Sequence, residues 1–150
     1  MNAEAKLAPI RESIVIDAPL EKTWRIMTSP QTVPRWLGCL QYQGAVGSLF
    51  YMQQDQGKAQ AGDISGATHC EILALDAPTH FRFSWFVPGF PATFISMTLE
   101  ASSPTQTRVA FVHEGWDQFP PDMVRQIYDA LSGGWRSFVL PGLKREAEAA

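Results

Sequence analysis

Three histidines, two cysteines and a scatter of carboxylates are the side chains of this chain best suited to catalysis or metal binding. Their spacing limits what they can do. His69, His80 and His113 fall on three different predicted strands, and no C-x-x-C, H-E-x-x-H, G-x-S-x-G, P-loop or Rossmann glycine pattern occurs. Nothing has the spacing of metal ligands, so neither a metal nor a cofactor is expected. Cys39 and Cys70 can pair arithmetically, but with no secretory segment before them the expectation is two reduced, half-buried thiols. No cationic neighbour in sequence would lower either thiol pKa.

His113 is the one candidate for chemistry. It continues the alternation of Val109 and Phe111 and precedes Glu114-Gly115-Trp116, which places it on an inward face near the end of a strand. At a cavity rim such a ring can accept a proton or orient a ligand carbonyl. Its plainer role is structural, with the ring hydrogen-bonded where the strand ends. Glu71, Glu100 and Glu114 fall on outer faces and read as solvated, and Arg82 reads as a stem covering apolar surface.

The elements that would position these groups follow from periodicity. Ile10, Glu12, Ile14 and Ile16 alternate with Arg11, Ser13, Val15 and Asp17, predicting a first strand. Pro19 with Glu21 opens a short helix carrying Leu20, Trp24 and Met27, and Ser29-Pro30 repeats the start before Trp36-Leu37-Gly38. Turn residues then recur from Gly44 to Ser103-Pro104, separating strands at 49–53, 68–75, 81–87, 93–100 and 107–114, with room for one more at 58–67. Spacing near ten residues favours antiparallel hairpins. Phe81, Phe83 and Trp85 share one face, as do Ile95, Met97 and Leu99, and Cys70 with Ile72 is the preferred inward pair of the 68–75 strand.

The last long segment, Pro120 to Arg145, reads as an amphipathic helix. A step of 100° per residue gathers Val124, Ile127, Tyr128, Leu131, Trp135, Phe138 and Val139 on one arc with Met123 at its edge, and leaves Leu140 as a misfit opposite. Pro120-Pro121 suits the start. Gly133-Gly134 costs roughly 1 kcal/mol per residue relative to alanine, and Pro141 predicts a kink or an end. Strands with one apolar face must bury it against this helix.

Composition sets the remaining bounds. One hundred and fifty residues suit a single domain, 1–150, with residues 1–9 and 146–150 expected as flexible tails. A net charge of −3 with no basic cluster argues against nucleic acid and anionic membranes. No apolar run reaches the roughly 18 residues of a membrane span and no leader is visible, so the expected compartment is the cytoplasm.

Strand, two short helices, antiparallel meander and closing helix make an α+β helix-grip architecture, a curved sheet wrapped around a long C-terminal helix. The chain resembles the SRPBCC (Bet v 1-like/START) superfamily, and within it the bacterial homologues of the Hsp90-ATPase activator C-terminal domain. The resemblance is carried by Asp17-Ala18-Pro19 with Trp24, Trp36-Leu37-Gly38, Phe83-Ser84-Trp85, Thr107-Arg108-Val109, His113-Glu114-Gly115-Trp116 and Gly134-Trp135, across about residues 14 to 143. Ser48 and Pro141 depart from the pattern.

The resemblance implies a non-catalytic module that holds a small apolar or aromatic molecule between sheet and helix. The expected lining is Phe83, Trp85, Met97, Phe111, His113, Leu131, Trp135 and Phe138, an apolar set with one polar group. Two alternatives come with it. One is a co-chaperone-like domain that binds a chaperone or another protein. The other is a cyclase- or hydrolase-like enzyme with His113 as acid/base.

Overall fold

The structure is a computed structural model and describes residues 6–150. Six strands form one antiparallel sheet in the order β1-β6-β5-β4-β3-β2. They are β1 Ile10–Ile16, β2 Leu49–Met52, β3 Thr68–Asp76, β4 His80–Trp85, β5 Thr93–Ser103 and β6 Gln106–Glu114. Helices α1 Leu20–Thr28 and α2 Val33–Leu37 fill the β1–β2 connection. The curved open sheet and its long closing helix make the fold α+β and helix-grip.

Period-two alternation sets which face is buried. Phe81, Phe83, Ile95, Met97, Val109, Phe111, Cys70 and Ile72 all lie in the core, and the register pairs Phe81 with Met97 and Met97 with Phe111. Phe50 meets Phe83 and Tyr42 edge-on, so much of the core beneath β2–β4 is aromatic. Cys39 and Cys70 are both free and fully enclosed. Burial raises the Cys39 thiol to about 12 and pushes Cys70 up as well, which keeps both protonated and unreactive.

The stretch 58–67, which had room for an extra strand, holds the end of a short helix followed by turns instead. In α3, Gln56–Gln60, the Asp55 carboxylate accepts from the Lys58 N–H at 3.0 Å. This N-cap settles a stretch whose glycine and alanine give a strand nothing to pack.

The closing helix is one rod in three parts: α4 Pro121–Gly134, a π-helical turn Trp135–Val139 and α5 Leu140–Ala149. The Leu140 N–H bonds to the Trp135 carbonyl, an i→i+5 contact. A turn of this width holds about one residue more than an α-turn, which sets everything after it back by about 100°. Phe138, expected on the buried arc, is therefore 74% exposed, and Leu140, the apparent misfit, is buried together with Leu143 and Ala147. The same widening accommodates Pro141, so the helix does not end there.

Contacts reach into both expected tails. Residues 1–5 lie outside the described residues, but Leu7 packs against the core and the Ala8 carbonyl accepts from the Tyr128 hydroxyl at 2.8 Å. At the other end Ala147 is buried and Glu148 Oε2 accepts from the Asp17 N–H at 2.8 Å, while Lys144 Nζ donates to the Val15 carbonyl. These partners lie about 130 positions away in the chain and hold residues 146–149 as helix.

Candidate functional site

The polar centre of the molecule is His113, at 0% exposure in the described chain. Trp135 Nε1 donates to its Nδ1 at 3.2 Å, so Nδ1 carries no proton. The neutral ring therefore holds its proton on Nε2, which donates to Thr93 Oγ1 at 2.7 Å, and the Thr93 hydroxyl donates to the Trp85 carbonyl at 2.9 Å. Every polar atom of the imidazole is thus engaged inside the protein.

Burial lowers the His113 pKa to about 3, because enclosure disfavours the charged ring. Three indoles surround it, Trp116, Trp85 and Trp135, with ring centroids 4.7, 5.7 and 6.0 Å away. Gly115 makes one of these contacts possible. At φ +100° it turns the chain directly after β6, and a Cβ there would stand 3.1 Å from Thr93 Cα. The turn sends Trp116 back so that its Nε1 donates to the His113 carbonyl at 3.1 Å. His113 lies in the interior with both ring nitrogens bonded, as in the structural alternative, and not at a cavity rim.

Beside this cluster lies an apolar cavity of about 200 Å³. Trp85 and Thr93 from the ends of β4 and β5 line it, with Phe86, Val87, Phe90 and Pro91 of the loop between them. Trp116 and Phe119 close it from the segment after β6, and α4 contributes Met123, Val124 and Ile127. Val87, Phe90, Met123 and Ile127 are also partly exposed, so they form its mouth. Among the described residues no charged side chain lines the cavity.

Of the eight side chains expected to line a ligand cavity, Trp85 alone does so. Phe83, Met97, Phe111 and Trp135 are brought together with His113 but are packed into the core, Phe111 and Trp135 with centroids 5.0 Å apart. Leu131 is half-buried on α4 and Phe138 faces solvent, so neither reaches the cavity. Of the lining residues missed from sequence, Phe86, Val87, Phe90 and Pro91 sit in the 86–92 loop and Trp116 and Phe119 in or just after a short 3₁₀ turn, while Thr93 starts β5 and Met123, Val124 and Ile127 belong to α4. The visible sign was Pro88-Gly89-Phe90-Pro91, a turn carrying a phenylalanine that no strand alternation explains.

Among the described residues no three of His, Cys, Asp and Glu gather as metal ligands. No helix among them is long and apolar enough to cross a membrane. Arg82 lies over the Phe94 ring at 4.9 Å and bonds Ser96 on the outer face of the sheet, with Glu114 3.8 Å away.

Comparison with known proteins identifies the lineage. A family profile described as "Activator of Hsp90 ATPase homolog 1-like protein" matches residues 17–148. The chain belongs to that family. This places it in the SRPBCC, or Bet v 1-like, superfamily. A crystal structure of a Mesorhizobium loti protein is similar to this activator-homologue chain at 26% identity and TM-score 0.71, covering 95% of each chain. The Aha1 dimer from Colwellia psychrerythraea aligns at 22% identity and TM-score 0.69, over 95% of this chain and 97% of that one. An Hsp90 activator from Plasmodium falciparum aligns at 13% identity and TM-score 0.70, over 91% and 93%. The last two likenesses are of fold alone. No curated protein matches the chain.

Proposed function

We propose that this activator-homologue domain is a non-catalytic binding module that holds a small apolar or aromatic molecule between sheet and closing helix. The supporting observation is the cavity of about 200 Å³ at the Trp85–Trp116 end, lined by aromatic rings and α4. Its size suits a small ligand: an apolar cavity of roughly 150 Å³ in another protein accepts benzene. Its composition matches ligand sites generally, mostly apolar with few polar groups. Titration with naphthalene, followed by amide NMR, tests the reading. Shifts should centre on the 85–93 loop, Trp116 and 123–127. Shifts elsewhere, or none, reject it.

A second reading has its own support. Met123, Ile127 and Phe138 expose apolar surface along the closing helix, with Val87 and Phe90 nearby in the loop that shares the cavity with α4. In a family named for Hsp90 activation, that surface suits a chaperone or another protein. Pull-down with purified Hsp90 at micromolar concentration, repeated with Phe138→Asp, tests it; absence of binding by the parent chain removes it. The acid/base reading draws no support from the geometry, because both His113 nitrogens are committed to Trp135 and Thr93.

A further inference from the structure

Building on the ligand-binding reading, the cavity also carries information on ligand charge. Its eleven lining residues include no Asp, Glu, Lys, Arg or His. Two polar side-chain groups other than the indole of Trp116 remain. The Thr93 hydroxyl is already spent, donating to the Trp85 carbonyl and accepting from His113. The Trp85 indole N–H is fully enclosed and has no partner among the described residues. The Trp116 N–H is committed to the His113 carbonyl. A carboxylate or ammonium entering this space gives up its water and finds no counter-charge, which is the costly case for any ion. A flat neutral ring, by contrast, meets Trp85, Trp116 and Phe119 in the offset or edge-on contacts that aromatic groups favour, with the Met123 thioether at the mouth.

We infer that the site selects uncharged one- or two-ring aromatic molecules and rejects their anionic and cationic analogues. The cavity volume, about 200 Å³, sets the ring count. The lack of charged lining groups sets the charge, since the one unpartnered polar group, the Trp85 indole N–H, is enclosed and supplies no counter-charge.

The test uses one ring system in three charge states: naphthalene, 2-naphthoate and 2-naphthylmethylammonium, each titrated into the full chain at neutral pH with amide NMR as readout. Naphthalene should bind at least about tenfold more tightly than either ion. A second arm places charge at the mouth. Ile127 is 43% exposed on α4, so Ile127→Lys should be tolerated by the fold, and it should raise 2-naphthoate affinity several-fold relative to that of naphthalene.

Equal or tighter binding of 2-naphthoate by the parent chain overturns the inference, as does 2-naphthoate affinity that Ile127→Lys leaves unchanged relative to that of naphthalene. Preference for the ammonium compound overturns it too, and would reassign the rings to a cation–π cage. Failure of all three compounds to bind has a different meaning, because it removes the ligand site itself and the selectivity with it.

Discussion

The two ends of the closing helix do opposite jobs. In α5, Leu140, Leu143 and Ala147 are buried against α1, α2 and β1, and Lys144 and Glu148 bond to backbone at the exit of the first strand. In α4 only Pro121 and Val124 are buried, while Met123 and Ile127 stand about half in solvent. Among the described residues no strand packs against α4 as β1 packs against α5. The space left between α4 and the 86–92 loop is the cavity. One amphipathic rod therefore supplies a structural anchor at one end and an open cavity wall at the other, with Trp135 and the π-turn at the changeover. Regions with few buried apolar contacts open locally at lower free energy.

Four measurements can break or sharpen this contrast. The largest effect should come from the anchor. Leu143→Ala removes a fully buried side chain and should cost about 2–5 kcal/mol in urea unfolding, whereas Ile127→Ala should cost under about 1 kcal/mol. Equal costs would mean that α4 is as firmly seated as α5.

Next comes the polar centre that ties the halves together. The folded-state pKa of His113 is depressed to about 3, against an ordinary value of 6.5. The unfolded chain therefore binds the extra proton first, and stability falls as pH drops below about 6.5, by roughly 1.4 kcal/mol per unit until about pH 3. Between pH 6.5 and 5, before carboxylates titrate, the loss should be about 2 kcal/mol. His113→Gln should flatten that window even if it lowers stability overall, and an unchanged slope would place the proton elsewhere.

A smaller effect of opposite sign is expected at the changeover. A Cβ built on Gly133 or Gly134 meets nothing within 4 Å. Alanine at either position should then raise thermal stability, by up to about 1 kcal/mol each, through helix propensity alone. Destabilisation would reveal a close contact that the open geometry does not contain.

The smallest effect concerns what does hold α4. Tyr128 meets Trp116 edge-on at 5.4 Å and bonds the Ala8 carbonyl. Tyr128→Phe should cost about 0.5–1.5 kcal/mol and speed amide hydrogen exchange in α4 but not in α5. Faster exchange across both would show that the rod opens as a unit.

What sequence could reveal followed from whether the pattern was local. Strand faces were legible because alternation is a two-residue property, and Phe83, Met97, Phe111 and His113 fell inward as their register required. The helix was legible up to Gly134. Beyond it, constant 100° steps put Phe138 inside and Leu140 outside, because nothing in the residues announces an i→i+5 turn. The ordered end at 146–149 depends on Asp17, far away in the chain. For the site, Trp85 and His113 were found as inward residues, but beside α4 and the strand ends the cavity is walled by a loop and a 3₁₀ turn, whose placement no periodicity encodes.

The bond from Asp17 to Glu148 also bears on biosynthesis. The ladder partner of β1 is β6, and the exit of β1 is held by α5. A nascent chain thus carries its first strand without a neighbour until residues 106–148 have left the ribosome. Throughout that interval the apolar positions Ile10, Ile14 and Ile16 stand open to other nascent strands, which makes translation of this domain a period of exposure that any chaperone present could shield.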